Sequence, residues 1–241
     1  MSRTRPLTKV GLALAALLAT LVALPIGASA HSGHRDNGSG GEATYTVTVR
    51  NLTGGQPLTP PNWAAHSQAA DVFQIGRPAT DGLQQVAENG RVQVLAAELE
   101  AAIDDQGLGV SGVGADGPIL PGGQISFDVT TDADRFSLVA MLVCTNDGFA
   151  GLDARRLPSG VGQTRHYLVR AYDAGTEINT ELRQDLVPEP PCGEGPGSTM
   201  SNPDLAEDGV VRPHRTLRGV GDLDPNLDWR GPVALVTITR G

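Results

Sequence analysis

Ala43-Thr44-Tyr45-Thr46-Val47-Thr48-Val49-Arg50 is a segment of period two. Tyr45, Val47 and Val49 share one face, and the threonines with Arg50 share the other. That alternation is the signature of a strand with one buried side. Working outward, Ile125, Phe127 and Val129 repeat it. Phe136 to Val143 is more continuously apolar, as expected of a strand in the middle of a core. Tyr167 to Tyr172 and Val233 to Thr239 read as further strands. Helical patterning is confined to Ala79–Glu88 and Arg91–Ala102. Thr80 or Asp81 is placed to cap the first helix, and Asn89-Gly90 to stop it. Asn51 to Pro61 reads as a turn-rich connection, Gly107 to Gly123 as a glycine-rich loop, and residues 186–209 as a long loop of Pro, Gly, Ser and acids. Strands and helices do not alternate, which argues against a parallel sheet. The expected class is all-β with minor helices, an antiparallel β-sandwich with helical decoration.

The N-terminus has the three parts of an export signal. Arg3, Arg5 and Lys9 precede an apolar run from Gly11 to Leu24, and Ala28-Ser29-Ala30 offers a small-residue cleavage site. The run is short of the roughly 20 residues that span a bilayer. Residues 1–30 are therefore expected to be a signal peptide, residues 31–42 (HSGHRDNGSGGE) a flexible leader, and residues 43–241 one domain. Export implies a secreted or cell-envelope protein with no transmembrane segment after cleavage.

Loss of the three basic residues takes the formal charge from −9 to −12, with 15 basic residues against 27 acidic. Lys9 is the only lysine, so all remaining positive charge is arginine. So acidic a surface disfavours nucleic acid and anionic membranes and attracts cations. Two cysteines remain, Cys144 and Cys192. In an oxidising compartment they read most simply as a disulfide, with two buried thiols as the alternative. Their spacing excludes a C-x-x-C site.

Catalytic patterns are missing from the sequence: no G-x-S-x-G elbow, no H-E-x-x-H and no P-loop. His66, His166 and His214 are scattered and read as core or surface residues. The informative features are acidic loops. Asp147 lies in Thr145-Asn146-Asp147-Gly148-Phe149, just past the apolar strand. Asp173 and Glu177 flank Ala174-Gly175-Thr176 at the end of another. Carboxylates and carbonyls from two strand-end loops suit calcium, which takes six to eight hard oxygen ligands. Solvated caps and turns are the competing reading. A further run, Asp222 to Trp229, resembles the start of an EF-hand loop but has Leu227 at its glycine position and Val233 where a bidentate glutamate belongs. It reads as a turn before the last strand. Asn51-Leu52-Thr53 is a formal glycosylation sequon.

TYTVTVRNLTGGQPLTPP (44–61), AMLVCTNDGFAGLD (140–153) and YDAGTE (172–177) together resemble the spondin domain, the N-terminal domain of the spondins and mindin, and most closely its stand-alone bacterial form. GVGDLDP (219–225) and the closing DWRGPVALVTI add to the resemblance. It implies an antiparallel β-sandwich related to C2 domains, with one calcium ion at its edge held by Asp147, Asp173 and Glu177. Gly148 departs from the family's tryptophan and Glu177 from its aspartate, and Asp153 is a spare carboxylate in the same stretch. The resemblance also implies a non-catalytic adhesion or binding role toward an extracellular protein or glycan. A metal-dependent hydrolase using the same loops and a metal-free structural envelope protein are the alternatives.

Overall fold

The computed structural model describes residues 41–188, 190–192 and 201–241. The expected signal peptide lies outside these residues, as does most of the expected leader. Among the described residues no helix is long and apolar enough to cross a membrane.

Nine strands among the described residues form the scaffold: β1 (Ala43–Asn51), β2 (Asn62–His66), β3 (Gly109–Val113), β4 (Gln124–Thr131), β5 (Arg135–Met141), β6 (Gly148–Arg156), β7 (Thr164–Asp173), β8 (Arg212–Pro213) and β9 (Ala234–Arg240). The order is β3-β2-β5-β6-β7-β9-β1-β4, with β8 on β7, and each pairing is antiparallel. The long strand β7 turns the corner. Its first half, Thr164–Val169, pairs with β9, and its second half, Arg170–Asp173, pairs with β6. One strand thus serves both layers of an antiparallel sandwich, the expected class.

The alternation of β1 fills that sandwich. Tyr45, Val47 and Val49 are buried with Val129, Val169, Val236 and Ile238 from the same layer, against Leu138, Ala140 and Leu152 from the other. Strand β5 is buried at all seven positions, because its second face carries another core. There Val139 and Met141 meet Phe149 and the helices α1 (Asp81–Asn89) and α2 (Val92–Leu99) through Leu83, Val86, Leu95 and Leu99. This two-sided burial explains the unbroken apolar run. Thr80 caps α1 by accepting the Leu83 N–H, and Gly90 ends it in the left-handed region at φ +62°, as expected. The helix expected over residues 91–102 divides into α2 and a π-turn, Glu100–Asp104.

Two corrections concern strands. The glycine-rich segment expected to be a loop contains the edge strand β3. Its glycines answer to close approach rather than to turning: a Cβ on Gly109 would lie 1.9 Å from the Ala65 carbonyl oxygen, and one on Gly112 2.9 Å from the Trp63 ring. Strand β2 gives little sequence signal, since Asn62 and His66 are polar yet buried between β3 and β5. The Asp222–Trp229 run is a turn before β9, as expected. Asp224 caps a short 3-10 turn, Pro225–Leu227, and Asp228 accepts the Leu217 N–H.

Candidate functional site

Cys144 and Cys192 are joined in a disulfide. It anchors the middle of the loop 142–147, which connects β5 to β6. Thr145 closes that loop: its hydroxyl donates to the Leu142 carbonyl and accepts the Gly148 N–H at 2.9 Å. A Cβ at position 148 would sit 2.4 Å from the Thr145 Oγ1, so this closure requires glycine where the family pattern has tryptophan.

The ladder then brings the second acidic loop alongside. Gly148 pairs with Asp173, and the Ala174 N–H donates to the Asp147 carbonyl at 3.1 Å. The Asp147 carboxylate reaches across the loop, where its Oδ2 accepts the N–H groups of Thr176 at 2.8 Å and Glu177 at 3.2 Å. The turn between Asp173 and Glu177 depends on Gly175, at φ +71° and packed so that a Cβ would lie 2.5 Å from the Val210 nitrogen. Residues 176–178 are held from outside by residues 205–207, through the Glu177–Ala206 bridge and flanking backbone bonds.

The three expected carboxylates are thereby joined through one loop. All are buried, but they do not converge on one point. Asp173 accepts from Gly175 N–H and Asn179 Nδ2, both at 2.9 Å, and forms an ion pair with Arg212 at 3.2 Å. The side chain of Glu177 is bonded to Ser201 instead and lies toward Glu88 of α1. Asp147 stands between them. Among the described residues no group of three or more His, Cys, Asp or Glu side chains is arranged to hold a metal ion.

The charges nevertheless leave a deficit. Oδ1 of Asp147 and Oε2 of Glu177 are both buried without a hydrogen-bond partner. Burial, followed by the nearby Asp173, pushes the Asp147 carboxyl up to about 6, against the pull of the Thr176 and Glu177 amides and Arg212. Burial also pushes Glu177 up to about 8, with Glu88, Asp147 and Asp185 adding to it and the Ser201 bond opposing it. Buried anions without compensation are costly, and hydrogen bonds to two amides do not offset the cost for Asp147. A hard cation beside either oxygen would offset it. Asp173, already met by Arg212, has less need of one.

Other sequence candidates sit elsewhere. Asp153 accepts the Val72 N–H and the Ser137 hydroxyl, both at 3.1 Å, on the far part of β6. Asn51 of the sequon is fully buried. Its amide donates to the Gln56 and Ile119 carbonyls and its Oδ1 accepts from Thr53, so it is a structural clasp. His66 is a core residue bonded to Ser137, and His166 is on the surface against Thr237. Sequence reasoning missed Glu181, a buried residue at φ +56° whose carboxylate accepts the backbone N–H groups of Arg218 and Val220. It also missed Arg212, the cation on Asp173. Neither residue carries a local signal, because each is brought to the site by a separate loop.

The family model for the spondin N-terminal domain, Spondin_N, matches residues 61–192, more than half of the chain and the part that contains both acidic loops and both cysteines. No curated protein matches the chain. A spondin domain is in general an extracellular type of binding module, and the disulfide agrees with such a setting. The match across β2 to β7, the sandwich and the two paired loops together lead to one conclusion: this chain belongs to the spondin N-terminal domain family.

Proposed function

We propose that this is a secreted or envelope-held binding module of the spondin type, non-catalytic, whose acidic loops take one calcium ion and whose role is adhesion to an extracellular protein or glycan. The observation that supports calcium is the pair of unpartnered buried oxygens, Asp147 Oδ1 and Glu177 Oε2. Asp147, Glu177 and Asp173 would supply carboxylate oxygens, which requires Glu177 to turn from Ser201 and Asp173 from Arg212, with loop carbonyls completing the oxygen-rich set that calcium takes. The ion's chemistry here is electrostatic. Bound there, it would neutralise buried carboxylates, and the residues that hold it would tie the β5–β6 loop to the loop after β7. Titration calorimetry of the chelator-stripped protein with calcium chloride tests the reading. Heat of binding is expected from wild type, with about 2.7 kcal/mol of added stability at a calcium concentration 100 times Kd. Asp147→Asn and Glu177→Gln should each lose most of that heat. A folded wild type that gives neither heat nor a melting shift with calcium would overturn the calcium assignment.

A further inference from the structure

Beside the acidic loops, on the side where Asp173 faces Arg212, lies a cavity of about 370 Å³. That is near the lower end of the roughly 300–1,000 Å³ typical of small-molecule sites. Its wall includes Arg212, His214, Arg215 and Arg218 together with the carboxylates Asp173, Glu181 and Glu207. The sequence Arg212-Pro213-His214-Arg215-Thr216-Leu217-Arg218 thus concentrates three arginines and a histidine in seven positions of a chain that is acidic overall.

What matters is which of these groups are already spoken for. Both oxygens of Glu181 accept backbone N–H groups, from Arg218 at 2.6 Å and Val220 at 3.0 Å, so this carboxylate is part of the wall. Arg218 in turn donates to the Asn179 carbonyl at 2.8 Å. Arg212 divides one nitrogen between Asp173 and Glu207. The exposed Arg215 has no ion pair or hydrogen bond among the described residues. Nδ1 of His214 accepts the Thr216 N–H at 3.1 Å, so in the neutral ring the proton is on Nε2, a buried donor without a partner. The left-handed backbone of Thr216, φ +66°, sets this turn. The wall therefore has an excess of donors. Of its three carboxylates, Asp173 and Glu181 each accept at least two hydrogen bonds, whereas Glu207 takes only the 3.4 Å bond from Arg212.

The geometry points to a binding site for an anionic sugar, a hexuronate unit of an acidic polysaccharide. Its carboxylate would pair with the free Arg215 guanidinium and the remaining donors of Arg212, and its hydroxyls would donate to Glu207. A planar guanidinium matches a carboxylate in bidentate fashion. A neutral sugar would leave the guanidinium unmatched, and a bare inorganic anion would leave Glu207 unused. This site does not depend on the calcium reading, because none of these contacts passes through a metal.

The test is titration of the protein with a hexuronate oligosaccharide in excess EDTA, which removes calcium bridging. Comparison ligands are a neutral hexose oligosaccharide of equal length and inorganic sulfate. Saturable binding of the uronate alone is expected. Arg215→Ala should weaken it by about tenfold or more, as loss of a charge-assisted hydrogen bond does, and Glu207→Gln should weaken it less. Arg170→Ala, an exposed arginine outside this cavity, should leave it unchanged. Arg215 is exposed, so its truncation leaves the fold intact. Failure of the uronate to bind, equal binding by sulfate or by the neutral sugar, or an Arg215→Ala protein that binds like wild type would each overturn the proposal.

Discussion

Asp147 accepts the backbone N–H of Glu177 through Oδ2, at 3.2 Å, while its own Oδ1 and the Oε2 of Glu177 both lie buried without partners. The bond locks two loops together, and in doing so it encloses two carboxylates that repel each other. Stability and cation binding are therefore opposed in this seam. Any change that neutralises the pair should stabilise the metal-free fold and weaken its hold on a cation.

The first consequence is a pH dependence of the chelator-treated protein. The folded-state values of about 6 for Asp147 and about 8 for Glu177 lie above the ordinary values of 3.8 and 4.5. Between the unfolded and folded values the native state holds more protons than the unfolded one, so unfolding releases protons. Stability from these groups is fully present below about pH 4 and is lost as pH rises toward about 8. Melting temperature in EDTA should fall across that window, and saturating calcium should flatten the fall. A melting temperature in EDTA that rises steadily from pH 5 to pH 8 would contradict the buried-anion reading.

Asp147→Asn removes the charge but keeps an oxygen for the Thr176 and Glu177 amides. In EDTA at pH 8 this variant should melt at or above the wild-type temperature. Leucine at the same position deletes the acceptor, leaves the buried Glu177 N–H and the half-buried Thr176 N–H unbonded and should cost about 1–3 kcal/mol for the buried one, with less from the other. Thermal melts of the two variants separate the role of the charge from that of the hydrogen bonds.

Much of the fold was legible because burial is periodic. Tyr45, Val47 and Val49 announced a one-sided strand, and the run from Phe136 announced a strand covered on both faces. Thr80 and Gly90 marked the ends of α1 by capping chemistry. What stayed hidden was set by tertiary contact. Gly109 and Gly112 look like loop residues, yet they are glycines because Ala65 and Trp63 approach them closely. Asn62 and His66 are polar but sit in an interior strand, since their partners, the Val92 carbonyl and the Ser137 hydroxyl, come from distant segments. In the site, the family resemblance pointed to Asp147, Asp173 and Glu177, and the fold joins them in one seam. That Asp173 turns toward Arg212, and Glu177 toward Ser201, depended on loops far along the chain.

Cys144 is fully buried, and the bond to Cys192 ties the β5–β6 loop to the segment after Val187. A closed loop with a sequence separation of 48 residues is expected to contribute roughly 3–4 kcal/mol by restricting the unfolded chain. The double variant Cys144→Ser/Cys192→Ser should lose that amount of unfolding free energy, with a lower midpoint and a somewhat larger m-value because its unfolded chain is less compact, in chemical denaturation monitored by fluorescence of Trp63 and Trp229. If the disulfide also orders the Asp147 loop, calcium affinity should fall in the same variant. An unchanged midpoint would show that the bridge adds nothing to stability.

Gly175 tests the geometry of the seam without touching a charge. Its φ of +71° disfavours any residue with a Cβ, and an added Cβ would meet the Val210 nitrogen at 2.5 Å and its oxygen at 2.6 Å. Both contacts are backbone, so relief requires moving the segment around Val210 or the Asp173–Glu177 turn. Gly175→Ala should therefore cost about 2 kcal/mol or more, combining a strained backbone with overpacking. The turn presents the Thr176 and Glu177 amides to Asp147, so the damage should spread to those bonds. Hydrogen exchange at both amides is expected to accelerate more than exchange in the β1–β9 ladder, which lies in the other layer of the sandwich. Gly122, also at positive φ but with open space around its Cβ position, provides the comparison. Alanine there should show the backbone penalty alone, about 1 kcal/mol, with no change in exchange at residues 176 and 177. Equal exchange effects from the two substitutions would mean that the Gly175 turn does not position the amides that hold Asp147.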